Sequence, residues 1–392
     1  MNENENLVPK RRFKEFINTG TWEQRKLKEL TEVITKGTTP KDKSGKGSIN
    51  FVKVENINKS SGEIDIKSKI TENEHEGYLK RSQLKDGDIL FSIAGTLGRT
   101  AIVKKELLPA NTNQALAIIR LDEGDKNYIT TFLNGRAAED FIKKNPTVGA
   151  QPNLSLEQVG NLLIEIPSLE EQTKIGSFFK QLDDTIALHQ RKLDKAKELK
   201  SAYLSEMFPA EGERKPKRRF AGFTDDWEQR KLGEESIIVA GGDVDKTKVL
   251  KSGKYPVLAN ALTNDGIFGY YEDDYRIEAP AVTVTGRGDV GYAKARKTNF
   301  TPVVRLLAVK SEHDVDFLEV AINNHKTIVE STGVPQLTAP QLSNYNIYFP
   351  SFEEERKIGA FFKHLDDTIV LHQHKLEKLQ NIKQAYLNEL FV

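Results

Sequence analysis

The feature that most constrains this chain is a 38-residue segment that occurs twice. Residues 171–208 and 354–391 are identical at 24 of 38 aligned positions. A shorter element also occurs twice, as TWEQRKLKEL at 21–30 and DWEQRKLGEE at 226–235, and a KRRF tetrapeptide precedes each copy. The order is therefore short element, middle and long element, repeated once. This order indicates an internal duplication whose two middles have diverged.

The long repeated segment has the hydrophobic pattern of a helix that packs along another helix. Apolar residues recur at alternating spacings of three and four for about four heptads. At about 1.5 Å per residue such a helix would be roughly 57 Å long. Its partner within the chain would be the other copy. The residues predicted to form this contact are Phe179, Leu182, Ile186, Leu193, Tyr203, Phe362, Leu365, Ile369, Leu376 and Tyr386.

An Asp-Asp pair and a histidine inside the repeated segment raise the question of catalysis. Asp183 and Asp184 are adjacent, so on a helix their side chains point about 100° apart and cannot converge on one substrate atom. His189 lies off the face of either. We interpret the pair as a solvated face or a contact with a partner, and we predict no catalytic residue in this chain.

Composition excludes several kinds of site. The 392 residues include no cysteine, which excludes disulfides, thiolate zinc sites and Cys nucleophiles, and the seven histidines show no metal-ligand spacing. We therefore predict no metal site. No apolar run approaches the roughly 18–20 residues that span a bilayer, and the N-terminal stretch lacks the apolar core of a signal peptide. We expect a cytoplasmic protein without a membrane partner.

The two middles are predicted to be rich in strands. Their alternating or short apolar runs are 51–57, 62–67, 87–103 and 115–121 in the first middle and 255–261, 279–295 and 301–310 in the second. SIAGTLGRTAIV and TVTGRGDVGYAKA read as the same hairpin, with turns that differ in length by two residues. Together with the long helices, these strands predict an α+β protein.

Four enzyme alternatives fit the middles poorly. GRGDVG at 286–291 matches the glycine pattern of a dinucleotide site, but the residues that follow lack the helical periodicity that such a site needs. Asp65 and Lys67 share a strand face, as in a nuclease, yet strand alternation alone explains that spacing. The chain also lacks the phosphate-binding loop expected for ATP and the loop that amino-methyltransferases use. A glycine-rich turn is the better interpretation of 286–291.

The net charge is only +1, so a case for nucleic acid must rest on local patches. Residues 36–53 and 287–310 are locally basic, and Thr, Asn, Gln and Gly lie between their Lys and Arg residues, as contacts to phosphates and base edges require. Arg99 and Arg287, in the two glycine-rich turns, are the strongest candidates. The residues predicted to contact DNA are Lys36, Thr38, Lys41, Lys53, Asn56, Thr96, Arg99, Asn111, Asn113, Gln114, Gln151, Asn153, Asn260, Arg287, Lys294, Arg296, Lys297, Asn299 and Gln336.

A duplicated chain with two diverged middles suits a ligand whose backbone is two-fold symmetric but whose sequence differs between its two halves. Double-stranded DNA is such a ligand. Each middle would read a different half-site, and the helices would set the distance between the two. The alternative is a DNA-independent two-fold scaffold that binds two copies of a protein partner.

The chain resembles the specificity subunits of type I restriction–modification enzymes. The resemblance is carried by WEQRKLKEL and WEQRKLGEE, GDILFSIAGTLGRTAIV, QPNLS and IPSLEEQ with KIGSFFKQLDD. It implies two β-rich target recognition domains separated by two long antiparallel helices that form a coiled coil, arranged as a pseudo-two-fold repeat. The expected division is an N-terminal segment (1–20), target recognition domain 1 (21–166), a first spacer helix (167–208), a basic linker (209–225), target recognition domain 2 (226–349) and a second spacer helix (350–392).

The resemblance also implies partners and a division of labour. The chain would read a bipartite asymmetric DNA site and direct adenine methylation or ATP-dependent cleavage by other subunits. Two methyltransferase subunits and up to two restriction subunits would bind it, and S-adenosylmethionine, ATP and magnesium would belong to them, so no cofactor is expected in this chain. FKEFINTGTW and FAGFTDDW differ before the two repeats, which leaves open whether the two partner sites are equal.

Overall fold

The structure is a computed structural model that describes residues 7–42, 44–144, 153–325 and 335–391. The chain divides into two compact units. Unit 1 comprises Met1–Arg191 and Gln373–Val392, and unit 2 comprises Lys192–His372. Each unit therefore contains one middle, the beginning of one long helix and the end of the other.

The nine strands occur in the same order in both halves of the chain. The first half contains β1 (Glu23–Lys26), β2 (Thr31–Lys36), β3 (Ile49–Val52), β4 (Ser68–Ile70), α1 (Glu72–Glu76), β5 (Ile89–Ser92), β6 (Thr100–Ile102), β7 (Ala110–Thr112), β8 (Leu116–Leu121), α2 (Lys126–Leu133), α3 (Arg136–Lys144), α4 (Leu156–Gly160), β9 (Leu163–Ile166) and α5 (Leu169–Met207). The second half contains β10 (Glu228–Lys231), β11 (Ile237–Ala240), β12 (Tyr255–Leu258), β13 (Ile267–Tyr271), β14 (Ala281–Thr285), β15 (Ala293–Arg296), β16 (Thr301–Pro302), β17 (Leu306–Lys310), α6 (Val315–Asn324), α7 (Ala339–Ser343), β18 (Asn346–Phe349) and α8 (Phe352–Glu389). The helices α1 and α3 of the first half have no counterpart in the described residues of the second.

Both middles have the same sheet topology. A four-stranded antiparallel sheet has the order β2-β8-β5-β6 in unit 1 and β11-β17-β14-β15 in unit 2. A three-stranded sheet that includes one parallel pair follows the order β4-β3-β7 or β13-β12-β16. The α+β prediction is confirmed, but the strand predicted over 62–67 is wrong, because Ile64 there forms only an isolated bridge to Ile57.

In each half of the chain, the first strand pairs with the last strand to form a two-stranded ribbon. β1 pairs with β9 and β10 pairs with β18. Both first strands have the sequence EQRK, between a buried Trp and a buried Leu. Trp22 and Leu27 anchor the first ribbon in its core, as Trp227 and Leu232 anchor the second.

The last aromatic residue of each repeated segment completes the core of a unit. Phe391 packs on Trp22, Tyr128 and Phe179 in unit 1, with ring centroids 5.4–6.4 Å apart. Phe208 packs in the same way on Trp227, Phe317 and Phe362 in unit 2, at 5.7–6.2 Å. Each core is thus completed by a residue that comes from the other half of the sequence. This exchange explains why the compact units do not follow chain order.

The long helices pack as antiparallel segments within each unit. In unit 1 the ring of Phe178 on α5 lies 5.0 Å from that of Tyr386 on α8, and in unit 2 the same distance separates Tyr203 from Phe361. Of the ten residues predicted for a helix contact, Phe179, Ile186, Leu193, Phe362 and Leu376 are buried and Leu182, Tyr203, Leu365, Ile369 and Tyr386 are half-buried. None of the described helices combines the length and the apolar composition of a membrane span.

A buried ion pair attaches each KRRF segment to the start of a long helix. The guanidinium of Arg12 makes two hydrogen bonds of 2.6 and 2.7 Å to the carboxylate of Glu171, and Arg219 binds Glu354 with bonds of 2.6 and 2.8 Å. The Glu171 and Glu354 side chains are each only 1% exposed. Bidentate hydrogen bonding is the geometry in which an Arg–carboxylate pair best offsets its loss of hydration.

Candidate nucleic-acid interface

The structure brings a group of the predicted residues together at one end of each four-stranded sheet. In unit 1, Ser92 of β5 pairs with Leu116 of β8 at this end, and in unit 2 Thr285 of β14 pairs with Leu306 of β17. We call this region the hairpin end: it comprises 92–100, 112–116 and Asn153 in unit 1, and 285–293, 302–306 and Gln336 in unit 2. Lys36 lies at the end of β2, beside it.

The turns of the two hairpin ends have the same backbone. In unit 1 the Ser92 hydroxyl donates to the Thr96 carbonyl oxygen (2.6 Å) and accepts from the Arg99 amide (2.7 Å). In unit 2 the Thr285 hydroxyl donates to the Asp289 carbonyl oxygen and accepts from the Tyr292 amide. In both turns the hydroxyl and the amide that donates to it are therefore seven positions apart. The predicted two-residue difference in length is wrong.

Two glycines in each turn make this geometry possible. Gly95 and Gly98 have φ values of 73° and 80°, and Gly288 and Gly291 have φ values of 78° and 86°. These values lie in the left-handed region, where a side chain is unfavourable. The extra glycine of the second sequence, Gly286, takes the position of Ile93 and precedes both of these turn glycines. Its Cβ would meet the Arg305 carbonyl oxygen at 2.3 Å, which explains why a glycine occupies that position.

Because the turns align in this way, Arg99 and Arg287 do not occupy equivalent positions. Arg99 takes the position of Tyr292, whereas Arg287 takes the position of Ala94. Arg99 points into its own domain, where Nη1 donates to the carbonyl oxygens of Val54 (3.3 Å) and Ile57 (2.7 Å). Its role in this structure is therefore to hold a loop, and the predicted pairing of Arg99 with Arg287 is wrong.

The hairpin end of unit 2 presents two arginines. Arg287 is exposed, and its backbone pairs with that of Gln336. The Nη1 group of Arg305 donates to the side-chain oxygen of Gln336 at 2.6 Å. Asn260 supports them from below, because its Oδ1 accepts from the Gly286 amide (2.9 Å) and its Nδ2 donates to the Val304 carbonyl oxygen (3.0 Å).

Arg305 is the residue that sequence reasoning left out of the predicted site. It lies in the basic stretch 287–310, but nothing there distinguishes it from its neighbours. Its φ of 74° is in the left-handed region, which non-glycine residues rarely occupy. No carboxylate of the described residues lies within ion-pair distance of Arg287 or Arg305.

The hairpin end of unit 1 has the same glycine-containing turn, but it has no comparable arginine and the left-handed backbone of Arg305 is not repeated at Ala115. Ala94 and Ala115 occupy the positions of Arg287 and Arg305. Predicted residues at or beside this end are Lys36, Thr38, Thr96, Asn113, Gln114 and Asn153. The Gln114 side chain accepts from the Thr39 hydroxyl, and the Asn113 side chain accepts from the Ala115 amide (3.1 Å).

A basic and aromatic group flanks this end. Lys41 lies over the exposed ring of Tyr78, 4.6 Å from its centroid. Arg81, which the sequence did not single out, reaches the Thr38 hydroxyl at 3.5 Å.

Two predicted DNA contacts are contradicted by burial. Asn111 is completely buried, and its amide nitrogen donates to the Leu79 carbonyl oxygen (2.9 Å) and the Ser82 hydroxyl (3.1 Å). Asn56 is 3% exposed and its side chain accepts from the Lys53 amide (2.8 Å). Neither can reach a ligand unless the domain opens, so neither belongs to the interface. Lys53 is half-buried and lies 4.0 Å from Glu55.

Three predicted cations are neutralised within unit 2. Lys294 and Arg296 both pair with Asp265, and Lys297 pairs with Asp316 at 2.6 Å. Burial lowers the pKa of Arg296, although Asp265 opposes this effect. Asn299 accepts from the Ala279 amide at 2.9 Å. These four residues lie on or after β15, away from the turn, and Gln151 lies outside the described residues.

Comparison with known proteins identifies the family of the chain. A family model for the type I restriction modification DNA specificity domain matches residues 19–198 and 224–381. A protein of Mycoplasma pneumoniae described as a type I specificity subunit is 25% identical over 317 residues, which are 78% of this chain and 82% of that protein. The MjaX specificity subunit of Methanocaldococcus jannaschii is 24% identical over 398 residues, covering 94% and 92% of the two chains.

A solved structure shares the fold. The S subunit of a type I restriction-modification system from M. genitalium superposes with a TM-score of 0.71 and covers 98% of this chain and 99% of its own, at 14% identity. Since the family model matches most of both halves, the chain belongs to the type I restriction modification DNA specificity family.

Proposed function

We propose that this chain is the DNA-reading subunit of a type I restriction–modification complex, and that each hairpin end contacts one half of a bipartite, asymmetric site. The observation that carries this proposal is that the hairpin turns of the two ends share their hydrogen bonds and glycine conformations but carry different side chains. Ala94 corresponds to Arg287, Ala115 to Arg305, and Asn153 to Gln336. One docking geometry with two sets of base-reading groups is what an asymmetric duplex site requires.

We assign one role in DNA recognition to each part of the chain. Residues 21–166 and 226–349 would act as target recognition domains 1 and 2, and the long helices, with 209–225 as linker, would fix the spacing of the half-sites. Basic residues such as Lys36, Lys41 and Arg81 would contact phosphates, which position the protein without reading sequence.

We propose two methyltransferase subunits as partners, held by the two ribbons. All four residues of Glu228–Lys231 are exposed, and in Glu23–Lys26 only Arg25 is half-buried. Packing cannot explain why EQRK is retained in both copies while the middles diverged. Two copies of one surface suit two copies of one partner. In this proposal up to two restriction subunits join the complex, and S-adenosylmethionine, ATP and magnesium are bound by the partners rather than by this chain.

The test is methylome sequencing of cells that express the chain with its methyltransferase. We expect a split motif with methylated adenine that is absent without the chain. Alanine substitutions at Arg287 and Gln336 should alter one half-site and leave the other half-site and the spacer unchanged. K297A is the matched control, because Asp316 neutralises that lysine at 2.6 Å.

Two outcomes would contradict the proposal. If the complex assembles and no motif appears, the DNA-independent scaffold function is favoured, and the absence of a salt-sensitive, sequence-dependent gel shift would support it. If the motif appears but hairpin-end variants leave both half-sites unchanged, DNA is read elsewhere on the chain.

Four residues added to each long helix, about one turn, should move the accepted spacing of the half-sites if the helices set that spacing.

A further inference from the structure

The side chains at the hairpin end of unit 2 have hydrogen-bonding groups that suit one base better than the others. Arg287 and Arg305 are exposed, and Arg305 is held by the side-chain oxygen of Gln336 at 2.6 Å. A guanidinium fork donates two parallel hydrogen bonds, and guanine is the base whose major-groove edge offers two acceptors, O6 and N7. Lys294, Arg296 and Lys297 are less suited to this role because carboxylates already bind them.

The backbone of Arg305 supports a functional role. Its φ of 74° is unfavourable for a residue with a side chain, and glycine would fit the same turn at lower cost. The neighbouring contacts fix this conformation. The Gly286 amide donates to the Arg305 carbonyl oxygen (3.1 Å), and Asn260 binds the carbonyl oxygen of the preceding residue, Val304. The turn therefore aims the guanidinium at the cost of local strain.

The corresponding positions in unit 1 carry methyl groups. Ala115 replaces Arg305 and Ala94 replaces Arg287, and the neighbouring Gln114 side chain accepts from the Thr39 hydroxyl. Alanine contacts suit the methyl group of thymine, and a glutamine amide suits the N6 and N7 edge of adenine. The two ends thus differ in the class of base pair that they suit.

We infer that unit 2 reads guanine through Arg305, positioned by Gln336 and assisted by Arg287, and that unit 1 does not read guanine at the equivalent positions. This inference rests on the proposed function. It assigns to the half-site of unit 2 at least one G·C pair whose guanine O6 and N7 accept from a guanidinium.

The first test uses R305G in the full complex with its methyltransferase. Glycine keeps the turn, so the variant should melt at or above the wild-type temperature. Its methylome should keep the other half-site and the spacer, while one guanine in the altered half-site becomes degenerate. K297A should leave the whole motif unchanged. R305K keeps the charge and a donor that can reach guanine but loses the planar fork, so its preference for that guanine should weaken less than in R305G while it retains most of the overall affinity.

The second test measures binding of the complex to duplexes in which that guanine is replaced by 7-deazaguanine, which lacks the N7 acceptor. Wild-type affinity should fall roughly 5- to 150-fold, and R305G should bind both duplexes equally. Equal loss in both proteins would overturn the inference, as would an altered half-site without guanine or an R305G motif identical to that of wild type. If wild type produces no motif in an assembled complex, the proposed function itself fails, and the inference fails with it.

Discussion

Lys383 of α8 lies 2.6 Å from the carboxylate of Asp183 of α5, and the duplication repeats this contact as Lys200 with Asp366 at 2.5 Å. The first aspartate of each repeated Asp-Asp pair thus binds a lysine of the other long helix. The second aspartates, Asp184 and Asp367, bind Lys180 and Lys363 of their own helices. Burial raises the pKa of Asp183, and Lys383 opposes that rise.

Breaking the Asp183–Lys383 pair should destabilise unit 1. In K383M the Asp183 carboxylate keeps its burial but loses its cation, so we expect a loss of about 1–3 kcal/mol in the free energy of unfolding. The pKa of Asp183 should rise further, so the loss should be smaller at pH 4 than at pH 7. A double-mutant cycle with D183N, followed by urea denaturation, measures the coupling. Additive effects of the two substitutions would mean that the pair contributes nothing.

The buried Arg12–Glu171 pair should contribute more to stability than the exposed pair beside it. In R12A the fully buried Glu171 carboxylate would lose both of its guanidinium bonds, so we expect about 3–5 kcal/mol of destabilisation. R11A is the matched control, because the Arg11 side chain is 54% exposed in its pair with Glu389, and such pairs contribute about 0–1 kcal/mol. Thermal melts of both variants test the difference, and equal shifts in melting temperature would contradict it.

Gly176 should not tolerate a side chain although it lies in a helix. A Cβ at this position would meet Asp125 Oδ1 at 2.5 Å and the Tyr128 amide at 2.7 Å, and Asp125 caps the N-terminus of α2. G176A should therefore cost about 1–3 kcal/mol, despite the higher helix propensity of alanine. Gly359 repeats these distances against Asp314 and Phe317 in unit 2. G20A is the control, since that Cβ would have open space.

Unit 2 should lose stability as the pH rises above about 6.5. Nδ1 of His313 lies 2.7 Å from the buried Glu355 carboxylate, and Nε2 lies 3.2 Å from Glu235. Burial lowers the pKa of His313, but the two carboxylates outweigh it, so the pKa is raised above the ordinary value of 6.5. A raised folded-state pKa gives a contribution that is complete below pH 6.5 and is lost as the pH rises through the folded pKa.

Unit 1 supplies the control for this pH dependence. Gly124 and Gln172 take the positions of His313 and Glu355, and Gln172 accepts from the Asp125 amide as Glu355 accepts from Asp314. H313Q combined with E355Q should flatten the dependence of unit 2. Hydrogen exchange of unit 2 peptides at pH 6.0 and 8.5 measures it, with unit 1 peptides as the internal reference. A wild-type profile as flat as that of the variant would refute the assignment.

Changes in one ribbon should remove one partner. Q24E with K26E reverses the local charge of the first ribbon, and Q229E with K231E does the same in the second. All four of these side chains are exposed. We expect each pair of substitutions to reduce the methyltransferase stoichiometry from two to one, and the combination to abolish binding, with little change in thermal stability. Native mass spectrometry of the purified complex counts the subunits. Two bound copies in the combined variant would place the docking surface elsewhere.

The pattern of the sequence was sufficient to predict the long helices and the hairpins, because 3.6-residue and two-residue periodicities reflect burial directly. It was not sufficient to align the hairpin turns. Gly286 resembles a turn glycine in the sequence, but it is required by the close Arg305 carbonyl oxygen. Asn111 and Arg99 have the chemistry of DNA contacts, yet backbone carbonyl oxygens that are distant in sequence occupy both.

The sequence by itself determined the duplication, the two β-rich middles, the helical repeats and the absence of cysteine chemistry, since these depend on local patterns and composition. Only the tertiary structure decided which half completes each core, which lysine pairs with Asp183 and, among the described residues, which basic residues lie beyond ion-pair distance of a carboxylate. Those outcomes depend on contacts between residues far apart in the chain, such as Trp22 with Phe391 and Arg305 with Gln336. No periodicity along the chain records contacts of that kind.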